Sequence, residues 1–105
     1  MWNTPTQAQL SKIPRLYETE SIPIAEKIIH MHFFLANCDW YIAEYDPEEQ
    51  LFFGYANLSD PISAEWGYIS FQELKDLVIR PGIHVDHDLY WKPCPAREVE
   101  KIVNT

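Results

Sequence analysis

The stretch that decides the fold is DWYIAEYDPEEQLFFGYANL, residues 39–58. Two runs rich in aromatic and aliphatic residues flank an acidic segment, and this pattern is typical of a β-hairpin. We place the loop at residues 46–50, because Asp followed by Pro suits the first two positions of a type I turn. Pairing of Tyr45 with Leu51 then sets the predicted register.

This register gives the hairpin two apolar faces, because successive side chains of a strand point to opposite sides. The predicted cross-strand pairs are Ala43 with Phe53 and Tyr41 with Tyr55 on one face, and Trp40 with Ala56 and Ile42 with Gly54 on the other. Since both faces are apolar, we expect the hairpin to lie inside a sheet that is at least partly covered on both sides. The absence of a side chain at Gly54 would let another group pack closely on the backbone there.

Segments on either side of the hairpin extend the predicted sheet. Residues 27–35 alternate between two faces, one of them formed by Ile29, Met31, Phe33 and Leu35, and we predict a strand there. Residues 66–70 predict a fourth strand, after a loop over residues 57–65 that is rich in Asn, Ser, Asp and Pro.

Three short helices are predicted around this sheet. The first has Thr4 as its N-cap, and the second follows Ser70, whose spacing to Glu73 fits a capping box. We expect the second helix to stop near Arg80, before a Pro-Gly pair, and the third to follow Pro95. The fold class is therefore α+β: one domain over residues 1–105, with an antiparallel three- to four-stranded meander covered by short helices.

The net charge of -8 is concentrated in the middle of the chain. No Lys or Arg occurs between Lys27 and Lys75, whereas eight acidic residues do: Asp39, Glu44, Asp46, Glu48, Glu49, Asp60, Glu65 and Glu73. Direct binding to nucleic acid needs a basic surface, which this composition does not provide. A solvated, solubility-giving surface and a surface for a basic protein partner are the two alternatives.

The sequence also indicates a compartment. It contains no apolar run long enough to span a bilayer, and it does not start like a secretory signal peptide. We therefore expect a cytoplasmic protein that does not bind membranes. In that compartment Cys38 and Cys94 are expected to be reduced structural residues.

The best candidate metal ligands are two histidines close together in the sequence. His30 and His32 lie two apart on a predicted strand, and a second group of candidate ligands (His84, Asp86, His87 and Asp88) follows later. A small metal-dependent hydrolase using His30, His32 and His87 is one alternative function. The favoured interpretation places His30 and His32 on a partly exposed sheet face and the later pair in a solvated loop. No nucleophile, phosphate-loop or zinc-protease motif is present, so we expect no cofactor and favour a protein that is not an enzyme.

The aromatic residues have two interpretations. They are Tyr41, Tyr45, Phe53, Tyr55, Trp66 and Tyr68. Such a stripe is usually buried beneath helices. If one face stays open, it forms an aromatic patch rimmed by carboxylates, which is the composition of a protein-binding surface.

Four segments together resemble a known family. They are LYETESIPIAEKIIHMHFF, WYIAEYDPEEQLFFGYANL, WGYISFQEL and HDLYWKPCP. Over roughly residues 14–100 the chain resembles the domain-of-unknown-function family 2958. This resemblance implies a short bacterial protein of the kind often encoded on plasmids and other mobile elements, near antirestriction and conjugation genes. No catalytic residues are established for that family, so the resemblance carries over no site, and histidine is not usual in it at the positions of this chain's four histidines.

From these observations we hypothesise a non-enzymatic acidic protein-binding module that inhibits a host nucleic-acid-targeting defence system, of the antirestriction or anti-CRISPR type. The predicted partner has a basic surface. The candidate partner-binding residues are Glu44, Asp46, Glu48, Glu49, Asp60, Glu65, Tyr45 and Tyr55. The alternative is a structural or adaptor subunit that self-associates or docks through an aromatic sheet face.

Overall fold

The computed structural model describes residues 1–60 and 62–103. The α-helices are α1 (Gln7–Leu10), α2 (Phe71–Asp76) and α3 (Glu100–Val103), with 3₁₀ turns at Ile24–Glu26 and Ala96–Glu98. The strands are β1 (Ile28–Ile29), β2 (Met31–Leu35), β3 (Cys38–Asp46), β4 (Leu51–Leu58), β5 (Glu65–Ser70), β6 (Val78–Arg80), β7 (Ile83–His84), β8 (Asp86–His87) and β9 (Cys94–Pro95). The predicted loop at 57–65 corresponds to residues 59–64, of which Pro61 lies outside the described residues.

A five-stranded sheet forms the centre of the fold, in the order β5-β4-β3-β2-β8 with every neighbouring pair antiparallel. Strands β2 to β5 are the predicted meander, and the α+β class is confirmed. The fifth strand, β8, was not predicted as part of this sheet. Two small two-stranded sheets, β1 with β9 and β6 with β7, lie beside it.

The predicted register holds for only part of the hairpin. Trp40, Tyr41 and Ile42 face their predicted partners on β4, but a β-bulge follows Ile42, and Tyr45 pairs with Phe52 instead of Leu51. The bulge adds one residue to β3, so that Tyr45 joins the same core as Trp40 and Ile42. A register read from sequence alternation assumes a regular ladder. For this reason the predicted register was wrong in the half of the hairpin next to the β3–β4 turn.

Gly54 lies on β4 opposite Ile42, next to the bulge. A Cβ atom built on Gly54 would lie 2.0 Å from the backbone oxygen of Tyr41 and 3.1 Å from the Cα atom of Ile42. The close approach predicted at Gly54 is therefore present, and the group that packs there is the neighbouring strand β3 itself.

Both faces of the sheet are covered, as predicted for the hairpin. On one face, Phe33, Ile42 and Phe52 pack with residues of α2 and with Leu10 of α1. On the other face lies a second buried cluster, formed by Ile29, Tyr41, Ala43, Tyr55, Ala96 and Val99. The C-terminal turn and helix therefore cover the face opposite to α1 and α2.

Several element boundaries differ from the predictions. The strand over residues 27–35 is interrupted at His30, which places Ile29 in the second cluster while Met31 and Phe33 stay in the first. The first helix is capped by Thr6, not Thr4, through a capping box with Gln9. The capping of α2 by Ser70 is confirmed, since the Ser70 hydroxyl accepts a hydrogen bond from the Glu73 amide at 3.1 Å.

The second helix ends earlier than predicted. Helix α2 stops at Asp76, and Val78–Arg80 forms a β-ribbon with β7 around Gly82, whose φ is 84°. The β-branched residues Val78, Ile79 and Ile83 suit a strand better than a helix, and helical spacing alone did not show this.

Candidate binding groove

The exposed acidic residues of the middle segment do not form one patch. Glu48 and Glu49 are exposed in the turn between β3 and β4, whereas Asp60 and Glu65 are exposed at the opposite end of β4. The eight residues of β4 separate the two ends by roughly 24 Å, at about 3.4 Å per residue. Consecutive turns of an antiparallel meander alternate between opposite ends of the sheet, so the charge is divided between them.

Four of the eight candidate partner-binding residues are largely withdrawn from the surface. Glu44, Tyr45 and Tyr55 are buried, and Asp46 is half-buried and accepts a hydrogen bond from the Glu48 amide at 3.0 Å. Burial, with the negative charge of Asp46, raises the pKa of Tyr45. In the folded chain a partner would reach Glu48, Glu49, Asp60 and Glu65 but not the side chains of the three buried residues.

Glu44 instead fixes the segment over residues 15–26 against the sheet. Glu44 is only 4% exposed, and its carboxylate accepts hydrogen bonds from the Tyr17 and Thr19 amides, both at 3.0 Å, and from the Thr19 hydroxyl. The buried Lys27 ammonium in turn donates to the Thr19 hydroxyl at 2.9 Å and to the Thr19 carbonyl oxygen. These bonds support Tyr17 in a left-handed backbone conformation with φ of 71°.

The anchored segment forms one wall of an open groove of about 420 Å³. We call this the aromatic groove and define it by its apolar lining: Tyr17, Ile22, Ile24, Phe53 and Tyr68. Tyr17 is 63% and Tyr68 56% exposed, although both are large aromatic residues. The buried Glu44 and Lys27 also line the groove, and exposed Glu20 stands at its side.

Aromatic contacts organise the sheet side of the groove. The ring of Phe53 stacks on Trp66 at 5.8 Å between centroids and meets Tyr68 edge-on at 5.7 Å. The hydroxyls of Tyr17 and Tyr68 lie 3.1 Å apart across the groove. This hydrogen bond raises the pKa of the Tyr68 hydroxyl, and the carboxylates of Glu44 and Glu20 raise it further. The groove is thus lined mainly by apolar side chains, with the carboxylates of Glu44 and Glu20 and the ammonium of Lys27 beside them.

A second polar cluster surrounds His32. Its Nε2 atom lies 2.7 Å from Asp39 and its Nδ1 atom 3.0 Å from Asp88, while the ring stacks on Tyr41 at 4.7 Å. Lys101 of α3 also donates to Asp39. Burial raises the pKa of Asp39, but the hydrogen bonds and charges of His32 and Lys101 outweigh it, so the pKa lies below its usual value. Burial and the two carboxylates raise the pKa of Tyr41.

The other histidines do not join His32 around one point. His30 and His87 line the same surface depression, and burial lowers the pKa of both. His87 is buried in β8, not in the solvated loop that we expected, and its Nδ1 atom lies 3.1 Å from the Asn3 carbonyl oxygen. His84 packs against Trp2.

These positions bear on the metal hypothesis. Within residues 1–60 and 62–103, no three His, Cys, Asp or Glu side chains converge in an arrangement that would hold a metal ion. Both ring nitrogens of His32 lie within hydrogen-bonding distance of a carboxylate, Nε2 of Asp39 and Nδ1 of Asp88. The structure thus places His30 and His87 at one surface depression and His32 between the carboxylates of Asp39 and Asp88.

The comparison with protein families agrees with the resemblance seen in the sequence. The family described as "Protein of unknown function (DUF2958)" matches residues 6–98. The chain belongs to this family. No curated protein and no solved structure matches it. Among the described residues, no helix of this family member is long and apolar enough to cross a membrane.

Sequence reasoning missed three residues of the aromatic groove in this DUF2958 protein: Tyr17, Ile22 and Ile24. They lie in the segment RLYETESIP and just after it, where mixed polar and apolar residues show neither helical nor strand periodicity. The available signal was the presence of large apolar residues in an otherwise polar stretch. Phe53 and Tyr68, by contrast, belonged to the predicted aromatic stripe.

Proposed function

We propose that this protein is a non-enzymatic binding module that receives an apolar segment of a protein partner in the aromatic groove. The observation that supports this most strongly is the concentration of exposed aromatic and aliphatic side chains in one concave site. An exposed apolar patch with a polar rim is typical of an interaction site. The Glu44–Thr19–Lys27 network holds the groove wall in place before a partner arrives.

The charge of the surroundings favours a basic partner. Glu20 lines the groove and Glu18 follows the groove residue Tyr17 in the chain; both are exposed, and neither forms an ion pair with Lys or Arg in the part of the chain that the structure describes. Complementary charge speeds association and directs the partner to this side. The exposed acids Glu48, Glu49, Asp60 and Glu65 add to the field at longer range.

We further propose a host nucleic-acid-targeting defence enzyme as the partner, in an antirestriction or anti-CRISPR role. Two points support this role: such enzymes have basic surfaces, and the family resemblance implies a mobile-element setting. Cytoplasmic residence is part of the same proposal, and the two free thiols of Cys38 and Cys94 agree with a reducing compartment.

The experiment measures binding of the purified protein to candidate restriction and CRISPR nucleases by biolayer interferometry at increasing salt. We expect Tyr17→Ala and Tyr68→Ala each to weaken binding by about tenfold, as is typical when an interface aromatic is truncated. The matched control is Tyr90→Ala, because Tyr90 is 92% exposed and lies outside the groove. Its affinity should equal that of the unmodified protein.

Two results would contradict the proposal. If Glu48→Gln and Glu49→Gln weaken binding while the groove variants do not, the partner docks on the hairpin turn. If no nuclease binds even at low salt, the defence role fails. Light scattering of the protein alone completes the test, since a stable oligomer that buries the groove would favour the adaptor alternative.

A further inference from the structure

Among the described residues, strand β5 forms an open edge of the central sheet, next to the aromatic groove. At the far edge, β8 is bridged by Trp2, whose amide and carbonyl groups bond to Val85 and His87. At the near edge, β5 pairs with β4 on one side only. Within residues 1–60 and 62–103 no further strand or loop pairs with the other side of β5.

The register shows which backbone groups face this open edge. The amide of Phe71 donates to the carbonyl oxygen of Gln50 at 2.9 Å, directly beyond the paired residues Ser70 and Leu51. In an antiparallel ladder, hydrogen-bonded and non-hydrogen-bonded pairs alternate. The N–H and C=O groups of Trp66 and Tyr68 therefore point away from β4, toward the open side.

The edge lacks the features that normally block strand addition. Strand β5, EWGYIS, contains no Lys, no Pro and no bulge, and its only charge is Glu65 at its first residue. A Cβ atom at Gly67 would meet nothing within 4 Å, so the face opposite to the groove is also open there. Such an edge is a template for pairing with another chain.

The edge and the groove share one face of the sheet. Trp66 and Tyr68 lie opposite Tyr55 and Phe53, so their side chains project on the groove side, and Tyr68 lines the groove itself. An added strand would place every second side chain next to these rings. A second copy of this chain is a poor occupant, because each copy has a net charge of -8.

We propose that the partner segment binds as an added antiparallel strand on β5, with alternating apolar and basic residues. Its apolar side chains pack on Trp66 and Tyr68 at the groove, and its Lys and Arg residues project to the opposite face, where Glu65 lies. This inference rests on the proposed function and adds the mode of recognition to it. Backbone hydrogen bonds provide affinity and the alternate side chains provide specificity.

The test uses a synthetic peptide of about seven residues that alternates Lys or Arg with Val or Ile, acetylated and amidated at its ends. In the proposed complex the apolar residues of the peptide lie opposite Trp66 and Tyr68 and form hydrogen-bonded pairs with them. The amides of these apolar residues therefore point toward β5, and the amides of the basic residues point away from it. Two matched peptides are N-methylated, one at the apolar positions and one at the basic positions. Affinity is measured by fluorescence anisotropy, and the site is mapped from amide NMR shifts.

We expect methylation of the apolar positions to weaken binding by at least tenfold, since each lost backbone bond is worth roughly fivefold. Methylation of the basic positions should leave the affinity within about twofold, because those amides face solvent. The largest NMR shifts should fall on residues 65–70. Equal affinity of both methylated peptides and the parent would overturn strand addition while leaving groove binding intact.

A pair of protein variants gives a second readout. Tyr68→Pro and Tyr68→Ala both remove the ring, but only the proline removes the amide that would bond to the added strand. An edge strand tolerates proline where the amide faces outward. We expect Tyr68→Pro to bind the parent peptide about fivefold more weakly than Tyr68→Ala does, because only the proline variant loses the backbone hydrogen bond.

The remaining outcomes are also decisive. If Tyr68→Pro does not fold, the methylated peptides decide the question on the unmodified protein. If the parent peptide does not bind at all, strand addition is refuted. In that case the nuclease-binding assay with Tyr17→Ala and Tyr68→Ala shows separately whether the groove function survives.

Discussion

Replacement of Glu44 by Gln tests whether this residue builds the groove or contacts the partner. The carboxylate accepts three hydrogen bonds, from two amides and one hydroxyl of Tyr17 and Thr19. A Gln side chain has the same shape, but its NH₂ group cannot accept, so one of the bonded N–H groups loses its partner. A hydrogen bond to a charged group contributes about 1.5–3 kcal/mol, so we expect the free energy of unfolding to fall by about 2 kcal/mol. Glu44→Ala should cost about 3 kcal/mol, since all three bonds are lost and water replaces only part of them.

Urea denaturation followed by tryptophan fluorescence measures this loss. With a slope of about 1–3 kcal/mol per M, the midpoint of Glu44→Gln should shift downward by roughly 1 M. Hydrogen exchange should show faster exchange of the Tyr17 and Thr19 amides. The matched control is Glu48→Gln, since Glu48 is exposed in the turn and a surface substitution there should change stability by less than about 0.5 kcal/mol.

The reasoning would be refuted if Glu44→Gln unfolded at the same urea concentration as the unmodified protein. The same holds if it kept its stability and amide protection but lost partner binding, because Glu44 would then contact the partner directly. A parallel loss of stability and of binding is the result that the buried network predicts.

Two further predictions concern stability. Gly54→Ala should destabilise the protein by about 3 kcal/mol, because the new methyl group meets the Tyr41 backbone on β3 and not a movable side chain. The control Gly67→Ala should be nearly neutral, because the space around Gly67 is open. Urea midpoints compare the two variants, and equal midpoints would show that β3 moves easily to make room. The free energy of unfolding should fall between pH 7 and pH 5, because burial lowers the pKa of His30 and His87 below the 6.5 of the unfolded chain. The contribution of these two histidines to stability is therefore fully present above pH 6.5 and is lost as the pH falls through their folded-state pKa values. Each histidine contributes up to about 1.4 kcal/mol per pH unit, and a flat profile of denaturation midpoints against pH would contradict this.

The half of the central hairpin far from the β3–β4 turn was predictable from the sequence. Alternation of large side chains fixed which residues of β3 and β4 share a face, because side-chain direction in a strand follows directly from residue order. The pairs around Tyr41 and Ile42 were correct for this reason. The bulge after Ile42 was not predictable, since an extra residue in one strand leaves no compositional sign.

The candidate site was only partly predictable. The aromatic stripe pointed to Phe53 and Tyr68, but not to whether either ring would stay exposed. Tyr17, Ile22 and Ile24 belong to a segment without periodicity. Its position depends on hydrogen bonds to Glu44, which lies 27 positions after Tyr17. The sequence also indicated a concentration of acidic charge, and the meander divided that charge between two ends of the sheet.

The amino-acid sequence by itself determined the α+β class, the meander of β2 to β5, the acidic balance and the family. These properties depend on local patterns and on composition, which the order of residues contains directly. Only the tertiary structure decided that Glu44 is buried as an anchor, that Tyr17 and Tyr68 face each other across a groove, and that β5 keeps an open edge. These features depend on which distant segments meet, because a side chain becomes core or surface only when another part of the chain covers it or leaves it open.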